Sequence, residues 1–285
     1  MLDVTAEINR IIEMALREDT ARNDVTTNSL IDPRQIARAE IVVRQEAVVC
    51  GLDIVQRVFQ KLDKSVKLRF FCKEGEKVRK DTRILLLKGK TRALLSGERT
   101  ALNFLGHLSG VASAARQYVE AIYPCRTKIL DTRKTTPGLR VLEKYAVRCG
   151  GAFNHRRNLQ EMVIIKDNHR TACRQDQSIV GMVSHLRRIT RKVVEVEVDT
   201  LPQFQEALEA GADVILLDNM TAVQIQKAVQ MRGRMKKRPS PLLEASGGIT
   251  LQNVRRMAQT GVERISIGAL THSHRFVDVS MELAG

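Results

Sequence analysis

The chain contains no tryptophan, and only 4% of its residues are aromatic. A core built from it is therefore aliphatic. Nowhere does an apolar run approach the ~20 residues that a membrane-spanning helix needs, which argues against an integral membrane protein. The first residues lack the apolar centre of a secretory leader, because Glu7, Arg10 and Glu13 interrupt it. Five cysteines (Cys50, Cys72, Cys125, Cys149 and Cys173) are scattered with no C-x-x-C pair. That spacing resembles neither a disulfide framework nor a zinc motif, and it predicts reduced thiols in a cytoplasmic protein.

Positive charge is abundant. Lysine and arginine number 47 against 32 acidic residues, a formal net charge of +15. Such a surplus suits nucleic acid, small polyanionic substrates or a solvated basic surface. Taken alone it favours the last, since the basic residues are spread along the chain. The densest cluster, Arg232 to Arg238, runs into Pro239 and Pro241 and reads as an exposed helix end and loop. The few aromatics and the absence of a recognition motif leave nucleic-acid binding with little support.

Residues 6–17 place Ile8, Ile11, Ile12, Ala15 and Leu16 at helical spacing. Asn23-Asp24 begins a turn. Arg38 to Arg44, Val66 to Cys72 and Arg83 to Leu87 read as strands, and Asp53 to Leu62 as a helix after the break at Gly51. These first hundred residues form an α+β module. A long helix is predicted from Gly97 to Ile122, in which Gly106 and Gly110 permit close packing or a break. His107 reads as an ordinary surface residue of that helix.

Beyond Thr127 the texture changes to strands alternating with helices. Strands are predicted at Lys128 to Leu130, Met162 to Ile165, Val193 to Val198, Asp213 to Leu217, Leu242 to Ala245 and Ile265 to Ile267. Helices are predicted at Leu139 to Cys149, Ser178 to Ile189, Pro202 to Glu209, Thr221 to Met231 and Thr250 to Gln259. The pattern fits parallel βα units in a doubly wound sheet or a barrel. Polar residues of catalytic type recur at the strands, and this favours a barrel with its chemistry at the rim. The first strand ends in Asp131, Thr132, Arg133 and Lys134. The second ends in Lys166, Asp167, Asn168 and His169. Glu195 and Glu197 share one face of the third. The fourth ends in Asp218-Asn219. The fifth carries Glu244 and ends in Ser246-Gly247-Gly248, and Gly268 follows the sixth.

Arg133 offers a planar fork for a carboxylate and Lys134 a point charge for phosphate. Glu195, on a buried strand, needs a cation, a metal or a ligand hydroxyl. The glycine turn 246–248, running into a helix near Thr250, suggests an anion site. Gly268, followed by Thr271, His272 and Ser273, suggests a second.

Several segments together resemble one enzyme family. They are R-E-D at Arg17, N-D-V-T-T at Asn23, G-E-R-T-A-L-N-F at Gly97, L-S-G-V-A-S at Leu108, D-T-R-K-T at Asp131, N-H-R at Asn154 and I-K-D-N-H at Ile165. E-V-E-V, L-L-D-N, E-A-S-G-G-I and I-S-I-G-A-L-T-H follow in order. The chain is similar over nearly its whole length to the quinolinate phosphoribosyltransferases, also called carboxylating nicotinate-nucleotide pyrophosphorylases.

The resemblance implies an incomplete TIM-like α/β barrel of the type II phosphoribosyltransferase kind, preceded by an α+β sandwich domain. Residues 1–110 would form the sandwich, rejoined by 270–285, and 111–269 the barrel. It implies joining of quinolinate to phosphoribosyl pyrophosphate with release of pyrophosphate and CO2, and a need for Mg2+. By the same resemblance Arg133, Arg156 and Lys166 grip the quinolinate carboxylates. Arg99 would reach in from the neighbouring subunit of a homodimer. Thr132 would line the substrate site, and Lys134 and His155 would face phosphoribosyl pyrophosphate. Glu195 and Asp218 would hold ribose hydroxyls and the metal-bound pyrophosphate, and Glu195, Asp218, Lys134 and Lys166 would act in catalysis. Ser246, Gly247, Gly248, Gly268 and His272 would bind the 5′-phosphate. Arg157 adds a second guanidinium after the N-H-R match, and one barrel strand is hidden from the strand pattern. A related phosphoribosyltransferase for another aromatic acid is the nearest rival, and the arginines at 99, 133 and 156 argue for a dicarboxylate instead.

Overall fold

The computed structural model describes residues 6–173, 178–235 and 240–284. In chain order its strands are β1 (Ile36–Val43), β2 (Ala47–Val48), β3 (Lys67–Phe70), β4 (Lys77–Val78), β5 (Thr82–Lys90), β6 (Lys128–Leu130), β7 (Val163–Ile165), β8 (Val194–Val198), β9 (Val214–Asp218), β10 (Leu242–Ser246), β11 (Arg264–Ser266) and β12 (Val279–Ala284). No helix among the described residues is long and apolar enough to cross a membrane.

Two compact units divide the chain. The first runs to Arg116, includes Thr135–Gly151, and resumes at Ala269. Its main sheet is antiparallel, in the order β12-β1-β5-β3, with Ile41 opposite both Met281 and Leu85. Ile41, Leu85 and Leu87 are fully buried on it. The two-residue strands β2 and β4 pair separately, and they are too short to show an alternating pattern. Helix Ala6–Glu18 buries Ile8, Ile12 and Leu16, one per turn. After the turn at Asn23-Asp24 comes a short helix, Val25–Leu30, where the Asp24 carboxylate accepts the Thr27 amide at 3.0 Å.

Helix Thr91–Ala121 begins six residues before the predicted start and continues unbroken through both glycines. A Cβ on Gly106 would stand 2.1 Å from Phe276 Cε1, and one on Gly110 would stand 2.3 Å from the Arg275 carbonyl. The glycines therefore let the segment 274–277 lie directly on the helix, and Val277 donates to the Gly106 carbonyl at 3.0 Å. His107 departs from its surface reading. Its Nε2 is 3.0 Å from Glu143 Oε1, and its ring meets that of His274 edge to face.

Helix Arg140–Cys149 falls within the stretch assigned to the barrel, 111–269, yet it clusters with the first unit. The reason lies in its buried partners. Glu143 on this helix meets His107, and a Cβ on Gly150 would stand 2.4 Å from the Ala112 carbonyl.

The second unit comprises Gln117–Lys134 and Ala152–Gly268. Its six strands are parallel, in the order β6-β11-β10-β9-β8-β7, as expected of an incomplete α/β barrel. The six strands are those read from the sequence pattern, and an isolated parallel bridge joins Leu130 of β6 to Phe153 outside them. Among the described residues no pairing joins Phe153 to β7. Strand β9 reads V-I-L-L and is buried throughout, as a strand covered on both faces should be. Helices Ile179–Ile189, Leu201–Ala210 and Ala222–Gly233 start at Ser178, Thr200 and Thr221, whose side chains accept amides of the first turn. Arg232, in the basic cluster, pairs with Glu263 at 2.6 Å. Lys236, Lys237, Arg238 and Pro239 lie outside the described residues.

Candidate active site

In a parallel barrel the strands deliver their last side chains to one rim, and alternate residues point inward. Glu195 on β8 and Glu244 on β10 flank β9 and are both fully buried. Their registers on β9, Val214 and Leu216, set them on neighbouring inward positions. A histidine reaches both. His155 Nε2 lies 3.2 Å from Glu195 Oε2 and 3.3 Å from Glu244 Oε1. Asp131, at the end of β6, places that histidine. Its Oδ1 accepts the His155 amide at 2.8 Å and its Oδ2 accepts Asn154 Nδ2 at 2.6 Å.

One N–H cannot point at two carboxylates. Among the described residues no donor meets either glutamate in good hydrogen-bond geometry; His155 makes only the two divided contacts, and Arg264 approaches Glu244 at 3.9 Å. Burial raises the Glu195 carboxyl above its ordinary range, and the neighbouring Glu244 charge adds to that, while His155 opposes it. For His155 burial works downward. Hydrogen bonds and charge from Glu195 and Glu244 outweigh it and push the imidazole up to about 9. The Arg156 amide donates to His155 Nδ1 at 2.7 Å, which favours the form with its proton on Nε2 and restrains full protonation. This is a stressed buried cluster, the kind of arrangement that marks functional sites.

Cations surround it in the same unit. Arg156 anchors to the Met162 carbonyl at 2.9 Å. Burial, then the charge of Arg133, lowers its basicity, while Glu195 acts against them, so Arg133 and Glu195 both lie within electrostatic reach of Arg156. Arg157 instead pairs with Glu161 at 3.3 Å, which leaves Arg156 as the guanidinium of the N-H-R segment that faces the cluster. Lys166, at the end of β7, forms an ion pair with Glu197. Thr132 accepts the Lys134 amide at 3.0 Å, and both Arg133 and Lys134 are exposed.

Asp218 closes β9, and its Oδ2 accepts Asn219 Nδ2 at 2.7 Å. Asn219 sits at φ 52° and donates its amide to the Ser246 carbonyl at 2.8 Å. Gly247, at φ +85°, is pressed so closely on Asn219 that a Cβ would stand 2.2 Å from Asn219 Oδ1. No side chain fits there. The glycine turn does not run straight into a helix as expected. Residues 249–253 intervene, Asn253 turns back to donate to the Gly248 carbonyl at 2.9 Å, and the helix Val254–Ala258 has only five residues. The helix-terminus argument for an anion at this turn therefore falls away.

Gly268 ends the second unit. His272 belongs to the first, is exposed, and contacts Ser273 Oγ at 2.7 Å. Arg99 is also in the first unit, exposed on helix Thr91–Ala121. The structure thus brings His155, Arg156 and Glu195 together with Arg133 close by. It adds Asp131 and Glu244, which the residue pattern had noted without a role. The signal for Glu244 was a single acidic residue in an otherwise apolar strand.

Comparison with known proteins agrees along the whole chain. Residues 24–109 match the model for the quinolinate phosphoribosyl transferase N-terminal domain, and residues 111–282 match that for the C-terminal domain. A probable nicotinate-nucleotide pyrophosphorylase [carboxylating] of Bacillus subtilis is 40% identical, over 97% of this chain and 93% of its own. The Mycobacterium leprae nicotinate-nucleotide pyrophosphorylase [carboxylating] is 38% identical, over 95% of each. The crystal structure of NadC from Streptococcus pyogenes superposes with a TM-score of 0.93 at 39% identity, covering 100% of this chain and 99% of that one. With both domain models matched in sequence order and relatives this similar over their full span, the chain belongs to the quinolinate phosphoribosyltransferase family.

Proposed function

We propose that this protein transfers the phosphoribosyl group of phosphoribosyl pyrophosphate to quinolinate and decarboxylates the product. Nicotinate mononucleotide, pyrophosphate and CO2 result, for synthesis of NAD. The observation that carries this reading is the buried Glu195, coupled to His155 and set beside Arg133 and Arg156 in one barrel unit. Two polyanionic substrates need such cations, and a cationic transition state needs the carboxylate.

The chemistry follows from where charge develops. Breaking the bond from ribose C1 to pyrophosphate leaves an oxocarbenium-like carbon. Glu195 or Asp218 stabilises it electrostatically. The quinolinate nitrogen attacks that carbon and becomes cationic. Loss of CO2 from the adjacent ring carbon leaves an electron pair beside the positive nitrogen, and this carbon then takes up a proton. Arg133, Arg156 and Lys166 hold the carboxylates, with Thr132 lining the site. Lys134 and His155 face phosphoribosyl pyrophosphate, and Ser246, Gly247, Gly248, Gly268 and His272 bind its 5′-phosphate. No cysteine is required.

Magnesium fits this donor set. The carboxylate oxygens of Glu195 lack well-directed hydrogen bonds, and hard oxygen ligands are what this ion prefers. When bound with pyrophosphate near Glu195 and Asp218, it would neutralise charge on the leaving group. Further parts of the reading are a cytoplasmic homodimer and a site to which Arg99 of the neighbouring chain contributes. Mixing Arg99→Ala with Lys166→Ala chains would then restore activity through hybrid dimers, and zero recovery with subunit exchange demonstrated would remove the shared site. The reaction itself is tested by supplying quinolinate, phosphoribosyl pyrophosphate and magnesium, with nicotinate as the competing acceptor. Equimolar nicotinate mononucleotide and CO2 from quinolinate is the expected result, and preference for nicotinate would overturn the assignment.

A further inference from the structure

We propose that Cys50, Glu74 and Cys149 form a binding site for one thiophilic divalent cation, zinc by its ligand chemistry, in the first unit and separate from the reaction. Nothing in their sequence spacing suggests it. The fold brings three distant segments together: the residue two before helix Leu52–Leu62, the turn between β3 and β4, and the last residue of helix Arg140–Cys149. The two sulfurs and a Glu74 carboxylate oxygen all lie within 4.8 Å of one another. Zinc bonds of ~2.3 Å to sulfur and ~2.0–2.2 Å to oxygen place tetrahedral ligand atoms roughly 3.5–3.8 Å apart. A contraction of about 1 Å or less, within side-chain reach, closes the site.

The framework around the three ligands is held in place. Cys50 donates its amide to Ser109 Oγ at 3.0 Å, and the Ser109 hydroxyl donates back to the Cys50 carbonyl at 3.2 Å. Gly75, next to Glu74, donates to the Val49 carbonyl at 2.8 Å. A Cβ on Gly75 would stand 2.9 Å from the Cys149 carbonyl, so these two segments touch. Arg116 staples them, donating to the Gly150 carbonyl at 2.9 Å and to the Gly75 carbonyl at 3.4 Å. Such support of the ligand-bearing backbone is what a metal site needs.

Chemistry agrees with geometry. Two thiols select a soft or borderline cation over magnesium or calcium. On metal binding each thiol gives up its proton to solvent and ligates as thiolate. Glu74 already accepts the Gly51 amide at 3.0 Å, and a carboxylate has lone pairs left for a cation. The metal would tie helix Arg140–Cys149 to the start of helix Leu52–Leu62.

The full-length protein, reduced and stripped with a chelator, is titrated with Co2+ and then Zn2+. Expected are one cobalt per chain, a thiolate-to-cobalt charge-transfer band, its loss on zinc addition, and a rise in Tm with zinc. Cys149→Ser abolishes the band, and Glu74→Gln, which keeps an oxygen for the Gly51 amide, weakens binding without unfolding. Should Cys149→Ser fail to fold, wild-type alkylation gives the answer. Zinc shields Cys149, the half-buried thiol of the pair, while Cys125 and Cys173 react as before. A wild type without a thiolate band, equal cobalt binding by Cys149→Ser, or no shielding would each overturn the proposal.

Discussion

Each unit buries a histidine against glutamate, and the two arrangements differ in how the carboxylates are satisfied. In the first unit Glu143 has one oxygen on His107 at 3.0 Å and the other on the Thr136 amide at 3.1 Å. Burial alone would raise its carboxyl, but these hydrogen bonds hold it below the ordinary range. His274 completes the chain at 3.2 Å from His107. In the second unit two buried glutamates share one imidazole, no oxygen of theirs has a well-directed partner among the described residues, and Glu195 is raised instead of lowered. A satisfied carboxylate stabilises the fold, and an unsatisfied buried one is held at a cost in stability. The same residue types thus meet satisfied carboxylates in one unit and a raised, crowded pair in the other, where the proposed chemistry lies.

The largest effect separating the two comes from Glu143→Leu. It leaves the Thr136 amide and His107 without their acceptor and should cost about 3–5 kcal/mol of stability by denaturant unfolding. Turnover per folded molecule should stay within a few-fold of wild type, and a selective loss of turnover would erase the distinction. Glu195→Gln should do the reverse, lowering kcat by roughly 10²–10³-fold as a charge aimed at the transition state is removed. Arg133→Ala should raise KM for quinolinate by roughly tenfold, the equivalent of one bidentate contact, with little change for phosphoribosyl pyrophosphate. Equal weakening of both substrates would deny Arg133 its role.

The smallest effect is on pH dependence, and its signs differ between the units. His155 is raised from 6.5 to about 9, so its contribution is complete below pH 6.5 and is lost as pH rises through 9. Tm should fall over that window, and Glu195→Gln should flatten the fall. Glu143 is lowered, so its contribution is complete above 4.5 and disappears only as pH drops through its folded value. Glu143→Gln should remove part of the acid-side loss and leave the alkaline window unchanged.

Much of this was legible from residue order because the strands are strongly patterned. V-E-V-E-V announced a buried strand with acidic residues on one face, and Glu195 was expected to need a cation, a metal or a ligand hydroxyl; the structure sets His155 3.2 Å from it. The partner Glu244 was not legible as such, since its meeting with His155 depends on the registers of β8 and β10 against β9. His107 misled because a lone histidine on a long helix carries no sign of Glu143, 36 residues away. The glycine turn at 246–248 misled because Asn253 delays the helix behind it. Cys50 and Cys149, with no motif spacing, become neighbours only through the packing of glycines 75 and 150.

Glu195 is buried without a well-directed partner among the described residues, and its proposed role in catalysis implies that it is held there at a cost in stability. Thermal unfolding of Glu195→Gln beside wild type, without substrates at neutral pH, tests it most directly. The account predicts a Tm equal to or above that of wild type in a protein that has lost turnover. A Tm several degrees lower would contradict it, because Glu195 would then be supporting the fold as Glu143 does.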